Sequence, residues 1–111
     1  MKRLFLLLAF FFLLGFDTFA AMGPCIATGL DDGGLDIEGW VNQERRQASN
    51  TRELVFSVEE LIAFISAVMT LLPGDVIATG TPAGIGPLTP GDRVTVKIEG
   101  IGELTNRVEA G

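Results

Sequence analysis

Residues 74–92, "GDVIATGTPAGIGPLTPGD", limit what this chain can fold into more than any other segment does. Proline lacks the backbone amide that helices and inner strands need, and glycine weakens both, so no regular element can cross this segment. The chain on either side has the pattern of ordered structure, and Thr79 to Thr81 are expected to leave a strand just before Pro82. A connection of this length inside a compact domain is usually functional or disordered. We predict a long, stiff loop.

The loop has the chemistry to bind a small anionic molecule. Its glycines let the backbone approach a ligand closely, and its prolines reduce the entropy lost on ordering. The residues from Thr79 to Thr81 would place hydroxyls and amides beside that ligand. The segment does not match the phosphate-binding P-loop or the dinucleotide glycine motif. The alternative is a rigid structural Ω-loop without a ligand.

An alternating segment after the acidic turn at residues 31–34 predicts a half-buried strand. Its apolar side chains share one face, and its polar side chains share the other with one tryptophan: Leu35, Ile37 and Val41 against Asp36, Glu38 and Trp40. The residues "VNQERRQ" then predict a hairpin turn and a polar return strand. Asn42 suits a positive φ, but Gln43 stands where glycine is favoured, so we expect strain of about 1 kcal/mol or a longer loop.

One amphipathic helix is predicted at about residues 58–70. Ser57 and Glu60 form a capping box, in which each side chain accepts a hydrogen bond from the other residue's backbone amide. Apolar residues then recur at helical spacing, and Pro73 with Gly74 ends the pattern: Val58, Leu61, Ile62, Ile65, Val68 and Met69. We expect this helix to pack on a sheet.

The C-terminal part predicts a second hairpin. Val94, Val96 and Ile98 alternate with polar residues, "EGIG" can turn the chain, and Leu104 to Val108 alternate again. A short apolar run, "CIAT" at residues 25–28, predicts a buried strand near the start. The fold class is therefore α+β, mainly β.

Composition excludes several functions. The net charge is -6 and basic residues do not cluster beyond the N-terminus, which argues against nucleic-acid binding. The chain has no histidine, which excludes a histidine base or metal ligand, and one cysteine, which excludes an internal disulfide. That residue, Cys25, is expected to be a small buried apolar group. The four carboxylates at residues 31–38 lack the spacing of a calcium loop and are interpreted as turn and strand residues.

The first 14 residues, "MKRLFLLLAFFFLL", form an apolar leader with the layout of a secretory signal. The run is shorter than the roughly 20 apolar residues that span a bilayer. A signal-like segment over residues 1–20, with export or membrane contact through residues 4–14, is one interpretation. A spurious or rearranged start in front of a partial coding region is the other.

Three stretches resemble the second half of the catalytic domain of the fumarylacetoacetate hydrolase family. They are "GFDTFAAMGPCIAT", "WVNQERRQASNTRELVFSVEELIAFIS" and "LLPGDVIATGTPAGIGPLTPGDRVTVKIEGIGELTNRV", and they cover Gly15 to about Val108. The resemblance implies a mixed β-sandwich or β-roll in which Mg²⁺ or Mn²⁺ chelates a 2-oxo or β-diketo acid. Such enzymes hydrolyse carbon-carbon bonds, decarboxylate oxo acids, or isomerise and hydrate 2-oxo-enoic acids, reactions in which the cation stabilises an enolate.

The resemblance also assigns site residues. In similar proteins the Gly-Thr of the "TGTP" loop reaches the substrate, which corresponds to Gly80 and Thr81 here. The threonine of "GFDTF" supports the metal site by hydrogen bonding, which gives Thr18 a catalytic role. The long loop would then be a wall of the active site.

The family's metal ligands, a Glu-x-Glu pair and an Asp, lie upstream of "GFDTF", where this chain has its apolar leader. Residues 15–111 are therefore expected to be a partial catalytic domain without metal ligands of its own, cytoplasmic like its relatives. It would form a homo-oligomer or associate with a family protomer. Two alternatives stay open: a non-catalytic fragment that associates with another chain, and an exported small β domain with an unknown ligand.

Overall fold

The computed structural model describes residues 21–31 and 33–110. The elements are β1 (Asp36–Val41), β2 (Glu44–Asn50), a short 3-10 helix (Thr51–Glu53), α1 (Val58–Val68), β3 (Arg93–Ile98) and β4 (Gly102–Arg107). The four strands form one antiparallel sheet in the order β2-β1-β3-β4. The predicted class, α+β and mainly β, is confirmed.

The predicted β1–β2 hairpin is confirmed, with its alternation. Leu35, Ile37 and Val41 are buried, whereas Asp36 is exposed. Val41 pairs with Glu44, so the turn holds only Asn42 and Gln43. Asn42 has a φ of 56°, and it is the one residue other than glycine with a positive φ in the described chain. Gln43 does not have a positive φ, and the predicted alternative of a longer loop is wrong because the turn has only two residues.

Asn42 also joins this turn to the start of β3. Its side-chain amide donates to Asp92 Oδ1 at 2.9 Å, and its side-chain oxygen accepts from the Arg93 amide at 3.0 Å. The Thr89 backbone amide donates to the other carboxylate oxygen of Asp92 at 2.9 Å and lowers the pKa of that carboxyl, as does the Asn42 contact. Asp92 thus fixes the end of the long loop against the first hairpin.

A β-bulge interrupts the pairing of β1 with β2. Gly39 faces Gln47 and Trp40 faces Arg45, so Arg46 is the extra residue on β2. In a regular strand neighbouring side chains point to opposite faces, and a bulge can redirect one of them. Arg46 and Gln47 can therefore both reach the same loop, a contact described below.

The predicted C-terminal hairpin is confirmed as β3 and β4, which pair from Arg93 with Arg107 to Ile98 with Gly102. On one face the Thr95 and Thr105 hydroxyls lie 2.7 Å apart. On the other face the strands present half-buried apolar side chains: Val94, Val96, Ile98 and Leu104. Since Ile98 also pairs with Ile37 of β1, this apolar face continues across the sheet.

The opposite face of the sheet is polar. The Trp40 indole donates to Glu38 at 2.8 Å and lowers the pKa of Glu38, which the Arg45 guanidinium at 3.0 Å lowers further. The Lys97 ammonium lies 5.5 Å from the centre of the Trp40 ring, within the range of a cation–π contact. The carboxylate of Glu38 is thus occupied by partners on its own sheet.

The capping box of α1 is confirmed, because Ser57 Oγ accepts from the Glu60 amide at 3.2 Å and Glu60 accepts from the Ser57 amide at 2.7 Å. The helix ends at Val68, two residues before the predicted end. Its packing on the sheet is slighter than predicted: Val58 is buried, but Val68 is 70% exposed and Met69 is 59% exposed. Two of the six residues of the predicted apolar stripe, Val68 and Met69, are therefore left exposed within residues 21–31 and 33–110.

The predicted strand at residues 25–28 is wrong. These residues form no strand, Ile26 is 70% exposed, and Cys25 is exposed rather than buried. Gly23 instead lies against Leu104, and the Cys25 thiol contacts the Ile101 carbonyl at 3.8 Å. These contacts place the segment against the turn end of the β3–β4 hairpin, where its side chains stay largely exposed. In the described residues no helix is long and apolar enough to span a membrane.

Candidate functional site

A cleft of about 250 Å³ opens where the long loop meets the first hairpin. One side is formed by Ile37 of β1 and by residues 49–51 at the end of β2. Apolar side chains around the start of the helix form the next side: Leu54, Val55, Phe56 and Leu61. Residues 79–82 of the loop close it. Glu53 is its only charged lining residue in the described chain.

Gly80 and Thr81, the residues predicted to contact substrate, both lie in the wall of this cleft. Gly80 has a φ of 112°, a backbone conformation that glycine adopts without strain. Both residues are exposed. The loop therefore presents a hydroxyl and a backbone turn to an opening with largely apolar walls.

Gln47 of β2 holds this part of the loop in place. Its side chain is almost fully buried, with the residue 2% exposed, and its amide nitrogen donates to Thr81 Oγ1 at 2.9 Å and to the Pro82 carbonyl at 2.7 Å. Hydrogen bonds inside a low-dielectric environment are stronger than the same bonds in water. The position of Thr81 therefore depends on a side chain of the sheet.

The loop touches β2 at two further points. Gly84 lies so close that an added Cβ would be 2.0 Å from the Arg46 carbonyl oxygen. The Arg46 guanidinium donates to the Pro87 carbonyl at 3.0 Å. The loop is thus held against β2 at Thr81, Gly84 and Pro87.

The hydroxyl of Thr79 also belongs to this wall. Its oxygen is buried and has no hydrogen-bond partner within the described part of the chain, although Thr79 lines the cleft. A buried hydroxyl without a partner costs about 1 to 3 kcal/mol. A polar atom of a ligand or a water molecule in the cleft would remove that cost.

The described residues do not fit a divalent cation. Within residues 21–31 and 33–110 no three Asp, Glu or Cys side chains gather as a metal site would require, and Mg²⁺ or Mn²⁺ prefers several oxygen ligands. Asp36 accepts a hydrogen bond from Asn50 at 2.6 Å, and Glu38 is bound by Trp40 and Arg45. Thr18 and the leader over residues 1–14 lie outside the described residues.

Sequence reasoning missed Gln47 and gave no separate role to Thr79. The segment "ERRQ" was interpreted only as a polar return strand, and its local pattern does not distinguish a buried amide from an exposed one. Regular pairing from the two-residue turn would place Gln47 opposite Glu38 on the polar face, and only the bulge brings it opposite Gly39, on the face of Ile37 and Val41. The local sequence therefore held no signal for this buried amide, although a polar residue on that face needs an internal partner.

A comparison with family models matches residues 5–109 to the fumarylacetoacetate (FAA) hydrolase C-terminal model. An uncharacterized protein of Methanocaldococcus jannaschii is 51% identical over 94 residues, which are 85% of this chain and 40% of that protein. The 4-hydroxyphenylacetate degradation bifunctional isomerase/decarboxylase of Escherichia coli is 51% identical over 78 residues, 70% of this chain and 18% of that protein.

Among solved structures, this chain is similar to maleylpyruvate hydrolase from Sphingobium sp. SYK-6 in complex with manganese (II) ion and pyruvate. The TM-score is 0.83 and the identity is 48%, over 86% of this chain and 38% of that one. The chain thus spans less than half the length of the curated relatives it matches. Because the family model matches nearly all of it, the chain belongs to the fumarylacetoacetate hydrolase family.

Proposed function

We propose that this chain forms the substrate-binding wall of a site for small 2-oxo or β-diketo acids. The reaction would be a hydrolysis, isomerisation or decarboxylation, the activities in the names of relatives from Escherichia coli and Sphingobium. The observation that carries the proposal is the position of Thr81 beside Gly80 in the wall of the cleft. The cytoplasmic location inferred from the resemblance is part of the same proposal.

The cleft suits such an acid chemically. The Thr81 hydroxyl can donate to a carboxylate or keto oxygen, and the buried Thr79 oxygen leaves a second polar atom to satisfy. Ile37, Phe56 and Leu61 would contact the carbon skeleton of the same molecule. Apolar walls with a few placed polar groups are typical of small-molecule sites.

We include Mg²⁺ or Mn²⁺ only because of the resemblance to the family. The related Sphingobium structure contains manganese with pyruvate. When bound, such a cation would polarise the oxo group of the acid. The described residues of this chain bind and orient the acid but do not ligate the metal. Thr18, proposed to support the metal site by hydrogen bonding, belongs to the same expectation from the family.

Replacing Thr81 with valine should weaken binding of a 2-oxo acid at least tenfold. Hydrogen bonds to charged groups contribute about 1.5 to 3 kcal/mol, and 1.4 kcal/mol corresponds to a factor of ten. Pyruvate would be titrated into the ¹⁵N-labelled protein with Mg²⁺ present, while the amide signals of Gly80 and Thr81 are followed. Valine keeps the shape of threonine, so the change reports on the hydroxyl.

Thr28→Val is the matched control, since Thr28 is exposed and lies outside the cleft. It should bind pyruvate as the unmodified chain does. Equal pyruvate affinity of the Thr81→Val and Thr28→Val variants would contradict the proposed role of Thr81. Signals that move only at residues remote from the cleft would contradict the site itself.

A second function, association with another family protomer or a second copy of this chain without catalysis, is favoured by the exposed helix surface. Phe64 is 73% exposed, Val68 is 70% exposed and Met69 is 59% exposed. Contiguous exposed apolar side chains are typical of interaction surfaces. The edge strands β2 and β4 offer further backbone pairing sites.

Val68→Glu should therefore reduce self-association, because a carboxylate is costly to bury in an apolar interface. Light scattering after size exclusion would give the mass of each species. Ala63→Glu adds the same charge on the opposite side of α1, where Ala63 is also exposed, and should leave the mass unchanged. A monomeric unmodified chain at all concentrations would argue against association with itself.

A further inference from the structure

Gln47 is a buried polar side chain whose amide nitrogen bonds to the long loop and not to the sheet. It is 2% exposed, while its strand neighbour Ala48 is exposed. Both hydrogens of its side-chain amide are used across 34 and 35 residues of sequence, on Thr81 Oγ1 and on the Pro82 carbonyl. No strand of the sheet receives a hydrogen bond from this amide nitrogen in the described residues.

The orientation of this amide follows from its partners. The Pro82 carbonyl at 2.7 Å can only accept a hydrogen bond, so the amide nitrogen and not the amide oxygen must face it. The same nitrogen lies 2.9 Å from Thr81 Oγ1 and donates its second hydrogen there. Thr81 Oγ1 therefore acts as an acceptor toward Gln47.

A hydroxyl has one hydrogen to donate and can accept with its lone pairs. Since Thr81 Oγ1 accepts from Gln47, its own hydrogen remains to be donated, and Thr81 lines the cleft. We infer that Gln47 is a positioning residue that sets the Thr81 hydroxyl as a hydrogen-bond donor into the cleft, and so selects ligands that present a carboxylate or keto oxygen. The inference rests on the proposed function. It adds the residue that makes the Thr81 hydroxyl a hydrogen-bond donor toward the ligand.

The local fold supports this arrangement. The bulge at Arg46 lets two successive residues of β2 contact one loop, Gln47 at Thr81 and Arg46 at Pro87. Between them the loop backbone at Gly84 lies directly on the Arg46 carbonyl. The loop is therefore held at the Gln47 contact and at two points that follow it, Gly84 and Pro87, which fixes the Thr81 side chain against β2.

Gln47→Glu tests the inference, because an ionised carboxylate accepts and cannot donate. At pH 7 the Thr81 hydroxyl would turn toward residue 47, the Pro82 carbonyl would lose its donor, and pyruvate affinity should fall at least tenfold. Amide hydrogen exchange at residues 79–81 should become faster. Lowering the pH protonates this buried carboxyl, which can then donate one hydrogen bond, so part of the affinity and protection should return.

Gln43→Glu is the matched control, since Gln43 is exposed in the β1–β2 turn. It retains the other ionisable groups near the cleft, Glu53 and Arg46, and should show neither the loss nor the recovery. Gln47→Met is the second variant if the glutamate prevents folding. Methionine has an unbranched side chain of similar length but no hydrogen-bond donor. This variant should therefore lose pyruvate affinity and exchange protection at every pH.

Unchanged exchange at residues 79–81 and unchanged pyruvate affinity in both Gln47 variants would overturn the inference. Faster exchange with unchanged affinity would overturn the assignment of Thr81 as the donor to the ligand. If the unmodified chain does not bind pyruvate, the proposed function fails. The exchange measurements on the Gln47→Glu variant still decide whether Gln47 positions Thr81.

Discussion

Gly84→Ala should lower the free energy of unfolding by about 3 kcal/mol and release the loop that carries Thr81. The added Cβ would lie 2.0 Å from the Arg46 carbonyl oxygen and 2.9 Å from its carbon, and backbone atoms cannot rotate away as side-chain ends can. The φ of 108° adds strain for any residue with a Cβ. Each effect costs about 1 to 3 kcal/mol. Urea unfolding followed by the fluorescence of Trp40, the only tryptophan, measures the change.

Gly74→Ala separates the two effects. Gly74 has a φ of 96°, close to that of Gly84, but an added Cβ there would meet nothing within 4 Å. This variant should show only the backbone strain and leave pyruvate binding intact. If both alanine variants lose the same stability, the close approach of the loop to β2 contributes nothing, and the description of the loop as held by the sheet is wrong.

Ile37→Ala should lower the free energy of unfolding by about 2 to 5 kcal/mol, the usual range for removing a buried aliphatic side chain. Ile37 is 6% exposed and pairs with Ser49 on one side and Ile98 on the other. The buried core of the described chain contains few apolar side chains, namely Leu35, Ile37, Val41 and Val58. Because Ile37 also lines the cleft, the cavity left behind should enlarge the site.

Ile26→Ala removes the same atoms from a residue that is 70% exposed. Exposed aliphatic side chains contribute little, so its unfolding midpoint in urea should move by far less. Similar losses for the two variants would mean that residues 25–28 are covered in solution, as the predicted strand there required. A small effect of Ile37→Ala alone would show that the sheet does not form the core.

The sequence predicted the elements well wherever the signal was local. The alternation of Leu35, Ile37 and Val41 predicted both the strand and its buried face, and the Ser57 and Glu60 capping box predicted the helix start. The prediction failed at residues 25–28, because a short apolar run does not specify whether it pairs with a strand or only lies against side chains of the sheet. The helix end was less accurate, since end residues have few contacts that specify them.

The site was predicted in part. Glycine, threonine and proline in residues 79–82 indicated a ligand-facing wall, and Gly80 and Thr81 do line a cleft. Their roles in substrate binding, and that of Thr18, stay predictions. The metal ligands expected in the family are not formed by the described residues, and the carboxylates of Asp36 and Glu38 serve the sheet instead.

The amino-acid sequence by itself determined the buried face of β1, the C-terminal hairpin, the helix start and the family. These properties depend on residue type and on spacing over a few positions, so they can be recognised along the chain. Only the tertiary structure decided that Gln47 contacts Thr81 and that Gly84 lies on Arg46. It also decided that the cleft lies between residues 79–82 of the loop, the first hairpin and the start of α1. Such contacts join residues more than 30 positions apart, and their partners depend on strand order and on one bulge, which no local pattern specifies.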